Sequence, residues 1–182
     1  SEGTAMTIDQ DNQKNRENQD ILSTIFDALP FIETHHSRSS PVYAAFSVAA
    51  QHAVRALFGE SGPQYGQLGA IGEIHLPFTR MGAITSTELL GIDELILFAY
   101  YQRKVGKYRR VADIGANIGL HSVILSRLGY LAECFEPDPV HLTLLRRNLA
   151  LNGIQNKVVI HEAAVSNASG SVDFCRVLGN TT

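Results

Sequence analysis

The chain carries one run in which residue type and spacing point to chemistry. Asp113 stands two residues before Gly115, Gly119 follows four residues later, and Glu136 comes seventeen after that. Glycines at 115 and 119 allow the backbone to turn sharply and to approach a ligand closely. A helix starting behind such a turn offers its free N–H groups to that ligand. A carboxylate ending the next strand, as Glu136 would, lies beside the crevice and can accept hydrogen bonds from both hydroxyls of a ribose.

Two nucleotide cofactors compete for this layout. A dinucleotide favours G-x-G-x-x-G with its pyrophosphate on the helix N-terminus. Here the turn reads Gly115-Ala116-Asn117-Ile118-Gly119, with Asp113 just ahead of it. That carboxylate repels a pyrophosphate and attracts the ammonium and sulfonium of S-adenosylmethionine. One charge pair at 4 Å is worth roughly 4 kcal/mol at an effective dielectric of 20, before desolvation. The sign of this interaction favours the sulfonium cofactor over a nicotinamide dinucleotide.

The elements needed to hold these residues are legible nearby. Val111–Ile114 reads as a short strand, 115–119 as the turn, and Leu120–Leu128 as a helix. Leu131–Phe135 reads as a second strand. Asp138 is placed to cap the next helix, with Pro139 at its first position and Gly153 beyond its end. Val158–Val165 and Val172–Val177 are the third and fourth strands expected. Strands and helices alternating in this way imply a parallel sheet with flanking helices, a Rossmann-like α/β fold.

Upstream the pattern is helical. Ile21, Leu22, Ile25 and Leu29 predict a helix over Asn18–Leu29, stopped by Pro30. Ser40 and Pro41 open a second, which runs to Phe58 and closes at Gly59. Residues 59–83 read as loops with one strand near Ile71–Leu76. Thr85 and Glu88 have capping-box spacing ahead of a helix interrupted at Gly91 and ending at Arg103. The division predicted is a disordered arm or tag over 1–17, a helical N-terminal region over 18–104, and a cofactor-binding domain over 105–182.

Asp-Ile-Gly-Ala-Asn-Ile-Gly-Leu-His-Ser at 113–122, Phe-Glu-Pro-Asp-Pro at 135–139 and Asn-Leu-Ala-Leu-Asn at 148–152 resemble the FkbM-type methyltransferase family. So do Ala163-Ala164-Val165-Ser166 with Gly170 and Phe174, and more loosely Leu76-Pro77-Phe78 with Met81-Gly82. The resemblance covers about 111–175, extends loosely over about 70–110, and does not reach the first 60 residues.

That resemblance implies S-adenosylmethionine binding and methyl transfer to a hydroxyl oxygen of a small metabolite, sugar or lipid. By it, Asp113 lies near the methionine amino group, Gly115, Asn117 and Gly119 line the methionine, and Glu136 holds the ribose. His121 and Ser122 begin the helix where the methionine carboxylate would be met. Related enzymes hold adenine with an acidic residue after the third strand. Here Ala163-Ala164 stand there, leaving adenine to the backbone and to Glu162. No catalytic base is identified. A complete fold of this type needs further strands after residue 182, so the C-terminal strands are expected to be missing from this chain. Asn180-Thr181-Thr182 are weaker candidates to reach the site from a strand end.

Composition narrows the alternatives. A hydrophobic content of 45% with 18% charged residues and a net charge of −3 suits a soluble globular chain and argues against a nucleic-acid binder driven by bulk charge. No apolar run is long enough for a membrane span. Cys134 and Cys175 have neither metal-ligand spacing nor a disulfide framework, Cys134 is expected to be inert core, and a cytoplasmic location is expected. His35-His36 lack a third ligand, so no metal is expected. The basic residues from Arg103 to Arg110 read as a solvated approach to the first strand. The apolar faces of the two N-terminal helices need a partner, either the sheet or a second copy in a homo-oligomer. Two other functions stay open: a truncated cofactor-binding module without turnover, and a nicotinamide-dependent oxidoreductase.

Overall fold

The computed structural model describes residues 2–171, with side chains from residue 10 onward. The strand expected at Val172–Val177, the Phe174 position and Asn180–Thr182 lie outside the described residues. In order, the chain forms α1 (Glu2–Ala28), α2 (Pro41–Phe58), β1 (Tyr65–Leu68), β2 (Gly72–His75), β3 (Arg80–Met81), β4 (Ile84–Thr85), α3 (Ile92–Arg103), β5 (Arg110–Ile114), α4 (Leu120–Arg127), β6 (Leu131–Phe135), α5 (Pro139–Leu151) and β7 (Val158–His161).

The half that carries the glycine turn is the β5-α4-β6-α5-β7 unit. Its three strands pair in parallel in the order β5-β6-β7, with Ile114 opposite Phe135 and Phe135 opposite His161. Helices connecting parallel neighbours give the Rossmann-like arrangement. Alternation along the strands sends Ala132, Cys134 and Val158 into the core, under α4 and α5. The opposite face, with Ile114, Leu131 and Val159, is exposed.

The helical half does not stand apart from this sheet. One buried cluster runs from Leu22 and Phe26 of α1, through Leu57 and Phe58 of α2 and Leu95 and Phe98 of α3, to Ile124 and Leu145 beside the sheet. Asn152, just past α5, adds a polar tie. It accepts from the His75 backbone N–H at 2.9 Å and donates to the His75 carbonyl at 2.8 Å. Asn152 is 6% exposed. Asn152→Ala would leave His75 N–H and C=O without these partners, so it is expected to cost about 2–3 kcal/mol of stability, read by urea unfolding.

Several expectations change in detail. Residues 1–17 were predicted as a disordered arm, yet α1 starts at Glu2 and is continuous with the helix expected from Asn18. The apolar face around Leu22, Ile25 and Phe26 anchors the C-terminal half, and adding turns to an existing helix avoids the cost of nucleation. Over 59–83 the one strand expected near Ile71–Leu76 is β2, which pairs antiparallel with β1, and β3 pairs with β4 just past this stretch. The capping box at Thr85 and Glu88 caps a short 3-10 turn over Ser86–Leu90, and Gly91 is the N-cap of α3. The third strand ends at His161 rather than at Val165. Ser40 caps α2 as expected, accepting from the Val42 N–H at 3.2 Å.

Candidate functional site

Parallel pairing brings the carboxyl ends of β5, β6 and β7 to one edge, where ligands of open α/β sheets bind. The turn after β5 is held there by the backbone. The Gly115 and Ala116 N–H groups both donate to the Phe135 carbonyl, at 2.9 and 3.0 Å. Gly115, Asn117 and Gly119 all take positive φ, at 76°, 51° and 82°. A side chain added at Gly115 would meet nothing within 4 Å, so that residue faces open space. At Gly119 a Cβ would lie 2.9 Å from Leu145 Cγ. Gly119→Ala combines that clash with a left-handed backbone, which costs an L-residue roughly 1–2 kcal/mol. The variant is expected to lose at least that much stability, measured by thermal unfolding.

Asp113, half-buried at the end of β5, accepts a hydrogen bond from Ser122 Oγ at 2.7 Å. Ser122 itself is fully buried in the first turn of α4. This hydrogen bond ties the carboxylate to the first turn of α4, whose leading N–H groups have no partner within the helix.

Glu136 is turned inward. It is 5% exposed, and its two oxygens accept from the Asn117 and Asp138 N–H groups, each at 2.8 Å. His141 Nδ1 lies 3.8 Å from Oε1. The carboxylate thus braces the glycine turn against the start of α5. Asp138, also buried, caps α5 by accepting from the Val140 N–H at 2.8 Å. Asn148 joins this brace by donating to the Ile118 carbonyl at 2.8 Å. Asn117 Oδ1 is buried at the turn and accepts no hydrogen bond among the described residues.

His121 faces the helical half of the chain. Its Nδ1 is 3.1 Å from the Tyr101 hydroxyl, and its ring packs edge-on to Phe98 with centroids 5.1 Å apart. Its Nε2 is 2.9 Å from Glu94 Oε2. That contact lies outside hydrogen-bond geometry, and this buried oxygen accepts no hydrogen bond among the described residues. Burial raises the Tyr101 phenol above its ordinary pKa, with the Asp113 and Glu94 charges adding to the effect.

Glu162 and Ala163 sit two strands away from Asp113, in the loop after β7. Glu162 pairs with Arg146, and both residues of this loop are exposed. Ala163 lines an open groove of about 540 Å³ with Phe135, His161 and residues 164–170. At its floor the Phe135 and His161 rings stack, 4.3 Å apart and 10° from parallel. His161 also meets Glu133, and this contact, with Arg110 on the other side, holds the Glu133 carboxyl below the usual carboxylate range. The structure therefore gathers Asp113, Gly115, Asn117, Gly119, His121, Ser122 and Glu136 around one turn, while Glu162 and Ala163 lie farther along the edge.

Tyr101, Glu94 and Asn148 had no assigned role in the sequence. Glu94 and Tyr101 are seven residues apart, two turns along one face of α3, and that spacing is their only signal. Among the described residues there is no group of three His, Cys, Asp or Glu side chains placed to hold a metal ion. Among them, too, no helix is long and apolar enough to cross a membrane. Burial pushes the Cys134 thiol up to about 11. At pH 8 in the folded protein, Cys134 is therefore expected to resist iodoacetamide and to be alkylated only on unfolding, as read by peptide mass spectrometry.

No family model matches the chain. It is 38% identical over 77 residues to methyltransferase sdnD of Sordaria araneosa, a match covering 40% of this chain and 30% of that protein. The solved structure of a SAM-dependent methyltransferase from Agrobacterium tumefaciens aligns with a TM-score of 0.41 at 13% identity, over 54% of this chain and 32% of that one. The chain thus spans about a third of the length of these two proteins.

Proposed function

We propose that the turn after β5 binds S-adenosylmethionine and that the chain is the donor-binding part of an FkbM-type methyltransferase. The observation that carries this reading is the Asp113 carboxylate, oriented by Ser122 at the mouth of a left-handed glycine turn. The similarity to methyltransferase sdnD supports it.

The residues present fit such a donor. The open space in front of Gly115 admits a ligand against the backbone, and Asp113 offers a negative charge to its cationic end. Free N–H groups of α4 suit its carboxylate. Asn117 Oδ1, buried without a hydrogen bond among the described residues, is ready to accept one. Each Glu136 oxygen accepts one backbone N–H, and its remaining lone pair suits a ribose hydroxyl. Adenine would lie toward Glu162 and Ala163, beyond β7.

When bound, the donor supplies an activated methyl group on a sulfonium. The chain's own task is to position the acceptor and exclude water. The acceptor class proposed is a hydroxyl on a small metabolite, sugar or lipid. Incubation of the protein with methyl-labelled S-adenosylmethionine and fractionated cell extract tests this. Label in an alkali-stable ether supports O-methylation of a hydroxyl. Label released by alkali as methanol indicates a carboxyl acceptor and contradicts it.

A further inference from the structure

Around the C-terminal end of α3 the surface is basic and aromatic at once. Residues 103–110 hold five cations and no carboxylate, although the whole chain carries a net charge of −3. Arg103 pairs with Glu33 and Arg110 with Glu133. Lys104, Lys107 and Arg109 make no ion pair among the described residues. Gly106, at a φ of 86°, reverses the chain, and the Lys107 N–H closes the turn by donating to the Lys104 carbonyl at 3.0 Å.

Exposed rings interleave with these cations. Lys104 Nζ lies 5.1 Å from the centroid of the Tyr100 ring, and Lys107 Nζ lies 5.5 Å from that of Tyr108. Tyr100, Val105 and Tyr108 are each about half exposed. Burial raises the Tyr130 phenol above its ordinary pKa, and the nearness of both Tyr100 and Tyr108 adds to this, so the two rings belong to one surface. The turn carrying Phe31 packs against α3 beside the Glu33–Arg103 pair. Phe31 is 88% exposed, more than any other large apolar side chain among the described residues.

The chemistry of this surface selects its partner. Uncompensated cations attract a polyanion. Phenylalanine, tyrosine and valine standing in water gain by entering the boundary between lipid headgroups and acyl chains, where aromatic rings collect. Nucleic-acid bases would stack on free ring faces, but one face of each tyrosine is already taken by a lysine. No helix among the described residues is long and apolar enough to cross a bilayer, so the contact these residues can make is peripheral.

We propose that the turn over Lys104–Tyr108, with Tyr100 and Phe31 beside it, docks the protein on an anionic lipid surface. The cations hold headgroup phosphates while Phe31 enters the boundary beneath them. This turn precedes β5 and the glycine turn follows it, so docking leaves the glycine turn at the other end of the strand. The inference stands whether or not the glycine turn takes S-adenosylmethionine.

Sedimentation of the whole chain with vesicles tests it. The wild type is expected to bind vesicles of equimolar phosphatidylcholine and phosphatidylglycerol, to leave phosphatidylcholine vesicles unbound, and to be released by raised salt. Each cation near such a surface strengthens binding roughly fivefold, so Lys104→Ala with Lys107→Ala is expected to weaken it at least about tenfold. Phe31→Ser removes an apolar ring that makes no part of the core, and is expected to weaken binding at least about fivefold. Failure of the folded wild type to bind the anionic vesicles would overturn the proposal. So would equal binding to both kinds of vesicle, or unchanged binding in either folded variant. Binding of a single-stranded oligonucleotide without binding of anionic vesicles would overturn it in favour of a nucleic-acid partner. The lysine and phenylalanine changes lie on separate segments, so each provides a check if the other does not fold.

Discussion

Glu136→Ala is expected to destabilise the protein more than any other single change in the site. Its carboxylate accepts from two backbone N–H groups while 5% exposed, so the alanine leaves two donors without their partner. Each such loss costs about 1–3 kcal/mol, and a charged partner places it toward the upper end. The sum is about 5 kcal/mol, a large share of the roughly 5–15 kcal/mol that holds an ordinary domain together. Glu136→Gln keeps one acceptor oxygen and turns an NH₂ toward the other amide, so its loss should be smaller but not negligible. Urea unfolding of the three proteins measures this. The glycine turn also depends on this brace, so S-adenosylhomocysteine affinity should fall at least about tenfold, or ~1.4 kcal/mol, in Glu136→Ala. An unfolding midpoint unchanged from the wild type would show that the inward carboxylate is not a brace.

Asp113 should behave differently, with a large effect on binding and a modest one on folding. It is half-buried and makes one side-chain hydrogen bond, to Ser122, which Asp113→Asn can keep through its amide oxygen. Asparagine removes the charge alone. Both Asp113→Ala and Asp113→Asn are expected to weaken S-adenosylhomocysteine binding at least about tenfold. S-adenosylmethionine carries a sulfonium that the thioether lacks. Its affinity should therefore fall further than that of S-adenosylhomocysteine in Asp113→Asn. Equal losses for the two ligands would place the carboxylate near the amino group but away from the sulfur. No loss for either would remove Asp113 from the site.

Much of the β5–β7 half was legible because its signals are local. Strand β6 falls on Leu131–Phe135 as expected, and Asp138 with Pro139 opens α5. Positive φ at Gly115 and Gly119 is what a tight turn between a strand and a helix demands of those residues. What escaped prediction depends on contacts between distant segments. Strand β2 was expected near Ile71–Leu76, but its partner β1 and their register come from pairing between short, glycine-containing strands. The stacking of Phe135 on His161 follows from the parallel register of β6 and β7, which no local pattern specifies. Glu136 was read as facing the crevice because its position at a strand end suggests it. Its inward turn follows from two amides, at Asn117 and Asp138, that meet only in the folded chain. The contact between α3 and α4 was hidden for the same reason, since Tyr101 and His121 are twenty residues apart in sequence and on different helices.

The central claim is that the turn after β5 takes a sulfonium nucleoside rather than a dinucleotide. Side-by-side calorimetric titration of the folded wild-type chain with S-adenosylhomocysteine and NADH tests it most directly. Saturable binding of S-adenosylhomocysteine, with NADH at least tenfold weaker, is the predicted result. Binding of NADH alone, or of neither ligand by a chain that circular dichroism shows to be folded, would contradict it.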